Sequence, residues 1–427
     1  MEVKAPNAKS PCTRSETPPT MDKLPAGWTV RSIADFCKVR TGPFGTLLKA
    51  SEYSEQEGVP VISVGEIREG YFRITEETPL VPDAVQRRLP QYLLRTGDVV
   101  FGRKGAVERS ALIRNEQSGW FLGSDGIAVR PDADECPEYI AAQFQSHQVR
   151  QWLALNSTGT TMASMNQGVL SRVAIPFPPT TVEQETISAA LADAESLIDS
   201  LAQLLTKKRL ITQGVMQKLL DGTRRLPGFN AAWSVYTIGD IADDVVNINR
   251  DAASLPVLTC SKHYGFVDSL GFFKNQVFSN DTSTYKVVKR GQIAYPANHI
   301  EEGSIGYQDL YDVALVSPIY VVFQPRSEVN GKFLHRLLKL PQFLPVFGRF
   351  TSSSVDRRGS LRWPAFSEIE VSMPRVEEQD AIVEVIEAME DDIGALEDRL
   401  SKARALKQAM AQALLTGRIR LVEPQPA

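Results

Sequence analysis

Two stretches of this chain copy one another at a fixed distance. Glu183-Gln184 recurs as Glu378-Gln379, and Leu219-Leu220-Asp221-Gly222 recurs as Leu414-Leu415-Thr416-Gly417, both offset by 195 residues. One offset held across about 40 residues implies two helices of equal length with no insertion between them. Each would be a rod of about 60 Å at ~1.5 Å per residue. Val182–Leu220 contains no proline, and its one glycine is Gly214. Ile187, Leu191, Ala194, Ile198, Leu201 and Leu205 are spaced 4, 3, 4, 3, 4. Ile382, Ile386, Met389, Ile393, Leu396 and Leu400 repeat that spacing. This is a heptad seam. A rod of this length overruns the face of a 150-residue domain, which favours helix pairing over each helix lying on its own domain.

Charge sets the expected direction of pairing. The first helix begins with Glu183, Glu185, Asp193, Glu195 and Asp199 and ends with Lys207, Lys208, Arg209 and Lys218. The second places ten acidic residues between Glu377 and Asp398, then Arg399, Lys402, Arg404 and Lys407. Antiparallel packing sets acidic starts against basic ends, and each polarity also suits the helix macrodipole. Thr180 or Thr181 can cap the first helix, with Glu183 or Gln184 near the third position, in a capping-box pattern.

The chain therefore reads A–B–A′–B′, with the A units at opposite ends about a pseudo-two-fold axis. Both A units open alike, Leu24-Pro25-Ala26-Gly27-Trp28 and Leu226-Pro227-Gly228-Phe229 followed by Trp233. Runs such as Val59–Val64, Asp98–Phe101 and Ile319–Phe323 read as strands. A helical stretch Glu138–Leu155 matches Gly331–Phe347. The expected class is α+β: two mixed α/β domains joined by two long antiparallel coiled-coil helices. The expected limits are a flexible tail at 1–20, a domain at 21–180, a helix at 181–222, a domain at 223–375, a helix at 376–420 and a tail at 421–427.

At 427 residues, two to four units are expected. With 43% hydrophobic and 23% charged residues the balance is that of a soluble protein. No apolar run reaches the ~20 residues of a membrane span, and the first 20 residues lack the apolar core of a secretory signal. The four cysteines, Cys12, Cys37, Cys136 and Cys260, are dispersed. That argues against a zinc site or disulfide framework and fits the cytoplasm. The four histidines form no metal motif, so no metal is expected. A net charge of −4 neither supports nor excludes nucleic-acid binding.

The chain carries no recognisable reaction centre. There is no GxGxxG after a strand and no GxxxxGK[ST]. Gly97–Lys104 comes close, yet Arg103 stands where a phosphate loop needs lysine. The Asn/Asp-Pro-Pro-aromatic tetrad of amino-methylating enzymes is absent. Ile175-Pro176-Phe177-Pro178-Pro179 reads instead as a rigid extended linker.

Several patterns together resemble the DNA-specificity (S) subunits of type I restriction–modification enzymes. They include Thr41-Gly42-Pro43-Phe44-Gly45 followed by Gly58–Ile62, and Gly97–Gly105. The second copy offers Tyr285–Tyr295, Ser317–Tyr320 and Arg358–Trp363. The junctions Pro178–Gln184 and Pro374–Gln379 carry the resemblance furthest. It spans about Leu24 to Leu421. It implies a non-catalytic subunit in which each A unit is a target-recognition domain reading half of a split, asymmetric double-stranded DNA target. The helices would act as a ruler and dock two methylation (M) subunits, with restriction (R) subunits joining. S-adenosylmethionine, ATP and Mg would sit on those partners, with none on this chain. Both halves lie in one chain, so one copy per complex is expected. A coiled-coil adaptor that binds only proteins and a self-contained methyltransferase or nuclease are the alternatives.

DNA contacts would come from loops. In the first domain the candidates are Arg103, Lys104 and Arg109, with Thr158, Thr160, Thr161 and Asn166 in the polar run 157–167. In the second they are Lys262, His263, Asn298, Ser352, Ser353, Arg357 and Arg358. The last four occupy the position equivalent to the first domain's polar run. His263 and His299 read more readily as ordinary loop residues than as base readers.

Overall fold

The structure, a computed structural model, describes residues 24–157, 163–262, 264–273, 275–352 and 359–421. It divides into two compact units. One joins the chain up to Leu201 with the chain from Arg399 onward, and the other holds Ala202–Asp398.

Each unit is built on a four-stranded antiparallel sheet, and the two sheets share one plan. In the first unit the spatial order is Cys37–Thr41, Gly126–Pro131, Val99–Gly102, Ser110–Leu112. In the second it is Ala242–Asp244, Tyr320–Pro325, Ile293–Pro296, Gly306–Tyr307. The register is also repeated. Val99 faces Val129 and Gly102 faces Gly126, while Ile293 faces Phe323 and Pro296 faces Tyr320. The turn into each central strand uses the same device. Gly97 and Gly291 take φ of 91° and 87°. The next side chain, Asp98 or Gln292, accepts a hydrogen bond from the amide three residues back. Asp98 also receives two hydrogen bonds from Arg130, at 2.6 Å each.

The copies differ in what is added to this frame. The first unit carries a small sheet ordered Leu80–Val81, Val59–Ile62, Phe121–Leu122. The second carries a hairpin, Leu258–Ser261 with Gly265–Asp268, and a separate pair, Lys286–Lys289 with Val313–Val316.

Two expectations are corrected here. Each helical stretch after the sheet is broken in two, Pro137–Gln145 and His147–Asn156 in one copy, Gly331–Leu338 and Phe343–Ser352 in the other. Ser146 leaves helical geometry and its hydroxyl caps the second helix through the Val149 amide; in the other copy Pro341 stands at the break. Ile175–Phe177 is a strand rather than a linker. Ala174–Phe177 pairs antiparallel with Thr29–Ser32 and is buried throughout. Only Pro178, Pro179 and Thr180 separate it from the long helix.

The long helices run Thr181–Leu220 and Val376–Leu415. Ile187, Leu191, Ile198, Leu201 and Leu205 are buried and Ala194 half-buried; Ile382, Ile386 and Leu400 are buried, and Met389, Ile393 and Leu396 half-buried. Within each unit the helices pack antiparallel. In the first, Ile187 and Leu191 share a cluster with Leu414 and Leu415, and Glu195 pairs with Lys407. In the second, Leu219 and Leu220 share the core with Ile382 and Ile386. Lys208 meets Asp392 and Arg209 meets Glu397, both at 2.6 Å. Acidic starts thus face basic ends, as the charge polarity requires. Among the described residues no helix is long and apolar enough to cross a membrane.

Candidate nucleic-acid interface

In the first unit, three segments singled out from the sequence converge where the sheet ends. The strand Val99–Gly102 runs out into Arg103-Lys104, and Cys37–Thr41 runs out into Gly42–Phe44. A Cβ on Gly42 would lie 1.8 Å from the Gly123 carbonyl oxygen, so glycine alone lets the loops at 42 and 123 meet. The Gly42 amide donates to the Gly126 carbonyl at 3.0 Å. The Arg103 amide donates to the Asp125 carbonyl at 2.8 Å.

The end of the polar run closes onto the same loop. Met165 N donates to Arg103 O and Gly105 N to Ala163 O, both at 2.9 Å. Gln167 Nε2 reaches Thr41 Oγ1 at 2.8 Å. The Arg103 guanidinium lies 4.4 Å over the ring of Phe44, which is itself 50% exposed. The ring holds the cation without neutralising it. Lys104 Nζ lies 3.3 Å from Asp125 Oδ1 in a surface pair that costs little to exchange for a phosphate. Arg109 is exposed. Asn166 is used differently. Its side chain caps the short helix Gln167–Ser171 by accepting from Val169 N at 3.0 Å. Thr158, Thr160 and Thr161 lie outside the described residues.

The second unit repeats the closure with other side chains. Leu361 N donates to Ala297 O at 2.7 Å, the counterpart of Met165 to Arg103. Where the first unit carries Arg103-Lys104, the second carries Ala297-Asn298. Asn298 lines a cleft of about 660 Å³ with Asp244, Lys286, Ser360, Arg362 and Trp363. Burial pushes the Lys286 ammonium below its ordinary range, while Asp244 pulls it up and Arg362 pushes it down. Burial raises Asp244, and Lys286 lowers it. Lys262 is exposed at the hairpin turn, where its carbonyl accepts from Lys339 Nζ at 3.2 Å. Tyr264 beside it is 74% exposed and packs edge-on to Phe272. Ser352 ends the helix Phe343–Ser352. His263, Ser353, Arg357 and Arg358 lie outside the described residues.

His299, Glu301 and Glu302 bring ligand atoms within 4.8 Å of one another. The His299 ring already meets Glu302 at 3.2 Å, as an exposed loop pair would.

The Glu-Gln junctions have a use that the sequence pattern did not give. Thr180 is the cap of the first helix, since Glu183 N donates to its carbonyl and hydroxyl. The Glu183 carboxylate does not turn back to complete a capping box. It receives Arg420 Nε at 2.8 Å and Nη2 at 2.7 Å. Glu378 receives Arg225 Nε and Nη2 in the same way, at 2.6 Å each. Gln184 accepts from Cys136 N and Gln379 from Asn330 N, which cap the helices at Pro137 and Gly331. Arg225 and Arg420 are themselves 195 residues apart, so extending the repeat three residues past its glycine finds them.

Residues 25–207 match the family model described as the type I restriction modification DNA specificity domain. Likeness to specificity subunits continues over the rest of the chain. It is 21% identical to a putative type I restriction enzyme specificity subunit, MjaX, of Methanocaldococcus jannaschii, over 93% of this chain and 95% of that one. It is 22% identical to the MjaVIII specificity subunit of the same organism, over 93% and 94%. The fold is that of the HsdS subunit from Thermoanaerobacter tengcongensis, with a TM-score of 0.55 at 16% identity over 93% of this chain and 99% of that one. The resemblance drawn from the sequence is borne out.

Proposed function

We propose that this chain is the recognition subunit of a type I restriction–modification complex, reading a two-part asymmetric DNA target and catalysing nothing itself. One observation carries the reading. The same sheet register and the same loop closure recur in both units, yet they present Arg103-Lys104 in one and Ala297-Asn298 in the other. A repeated frame with unlike loops suits two readers of unlike half-sites.

The long helices act as the ruler between half-sites and as the dock for two methylation subunits. Those subunits bring S-adenosylmethionine, and restriction subunits bring ATP and Mg chemistry. One copy per complex suffices because both readers share a chain. Arg103, Lys104 and Arg109 serve as phosphate contacts, and Asn298, Lys286 and Arg362 as their counterparts in the second unit.

The test is a methylation map on random-sequence duplexes treated with the chain assembled with its methylation subunits. Two unlike half-sites at one fixed gap are expected. Identical inverted half-sites would contradict two unlike readers.

A further inference from the structure

The buried carboxylates at the helix starts are more than helix ends. Glu183 and Glu378 are each the third residue of a long helix, and each is at most 3% exposed. Arg420 and Arg225 each stand five residues beyond the end of the other helix. Each guanidinium also reaches the segment that leads into its globular body. Arg420 Nη1 donates to Ala26 O at 3.5 Å, and Arg225 Nη2 to Ala231 O at 2.8 Å. Three segments therefore meet at one planar group: the start of one helix, the tail of the other, and the entry to the domain. In the first unit the covalent hinge between globular body and helix is only Pro178, Pro179 and Thr180.

A body of this size extends about 30 Å from such a hinge. About 10° of slack would move its far loops by about 5 Å, more than the ~3.4 Å rise of one base pair. Apolar packing at the junction resists separation but is non-directional. A two-bond carboxylate–guanidinium pair fixes an angle.

We propose that the Glu183–Arg420 and Glu378–Arg225 clamps determine how strictly the gap between half-sites is measured, an inference that rests on the ruler reading above. They are positioning pairs and touch no DNA. Their weights differ. The second unit adds Asn330–Asp380, Lys332–Glu387 and Arg336–Glu390, at 2.6–2.8 Å. The first unit has Cys136, Glu138 and Ala142 where the second has Asn330, Lys332 and Arg336. There hydrogen bonds stand in place of those three ties, among them Gln184 Nε2 donating to Glu135 Oε2 at 3.3 Å and Gln143 Nε2 to Leu415 O at 2.8 Å. Loss of Arg420 therefore loosens measurement more than loss of Arg225.

The experiment uses the full chain assembled with its methylation subunits, and duplexes carrying its own two half-sites at the preferred gap or one base pair longer or shorter. Arg420→Gln is expected to reduce the binding penalty for the off-by-one gaps at least tenfold, with both half-site sequences unchanged. Arg225→Gln is expected to reduce it less. An unchanged penalty in Arg420→Gln, or an altered half-site, would overturn the inference. Should Arg420→Gln fail to assemble, Arg420→Lys keeps the charge but offers a single donor head; it is expected to fall between, and a penalty equal to wild type would overturn the inference. A wild-type complex indifferent to gap length would instead sink the ruler reading on which the clamps depend.

Discussion

A carboxylate as enclosed as Glu183 is tolerated because Arg420 meets it with two hydrogen bonds. Replacing Arg420 with Met strands that charge, and a stability loss of about 3–5 kcal/mol is expected from denaturant unfolding. Replacing Glu183 and Arg420 together with Met is expected to recover most of it, since an apolar pair leaves no buried charge unmatched. The sequence disclosed half of this arrangement. Glu183 stood out through its repeat at Glu378, but its partner lies 237 residues away, and spacing alone names no partner at that distance. The reverse holds for Asn166, whose polarity suggested DNA while its geometry makes a helix cap. Arg103 and Lys104 were legible as cations at the end of a strand. Changing both to Ala is expected to weaken DNA binding and to lower the slope of log K against log salt by about 1 for each phosphate no longer neutralised. A slope equal to wild type would remove them from the set of phosphate-binding residues.

At the scale of elements, the long helices were legible because a period of 3.5 over many turns has no competing reading. Shorter elements were less so. Ser146 and Pro341 split stretches whose apolar pattern continues across the break, and Ile175–Phe177 is a strand whose prolines mimic a linker. The edge of a two-stranded sheet admits Pro176 because no further strand asks for its missing N–H. The glycine that ends the second helix shows how an element depends on one residue. Gly417 has φ of 71°, and a Cβ there would fall 2.6 Å from Pro25. Gly417→Ala is expected to cost about 1–3 kcal/mol, read as a lower melting temperature. The helix Gly331–Leu338 carries a pH response. His335 is held down to about 4 by burial, then by Lys339, and its Nε2 donates to Ile305 O at 3.2 Å. The ring is neutral when folded, and the unfolded chain binds the proton more readily. Stability is therefore full above about pH 6.5 and falls as pH drops toward 4, by about 3 kcal/mol from this group. His335→Gln is expected to flatten that part of the stability profile.

For the whole molecule, the duplicated plan was readable from one offset, but the content of the recognition loops was not. Lys286 and Arg362 share a cleft with Asn298 although the chain separates them widely, and only the folded sheet assembles such a set. Inserting four residues after Leu204, about one helical turn, is expected to lengthen the recognised gap while both half-sites stay the same; new half-site sequences would show that the helices take part in reading. The most direct measurement is a genome-wide map of adenine methylation in the source cell, with and without this chain. The account requires one asymmetric motif, split by a gap of constant length, that loses its methylation when the chain is removed. A continuous or palindromic motif, or a methylation pattern indifferent to the chain, would contradict it.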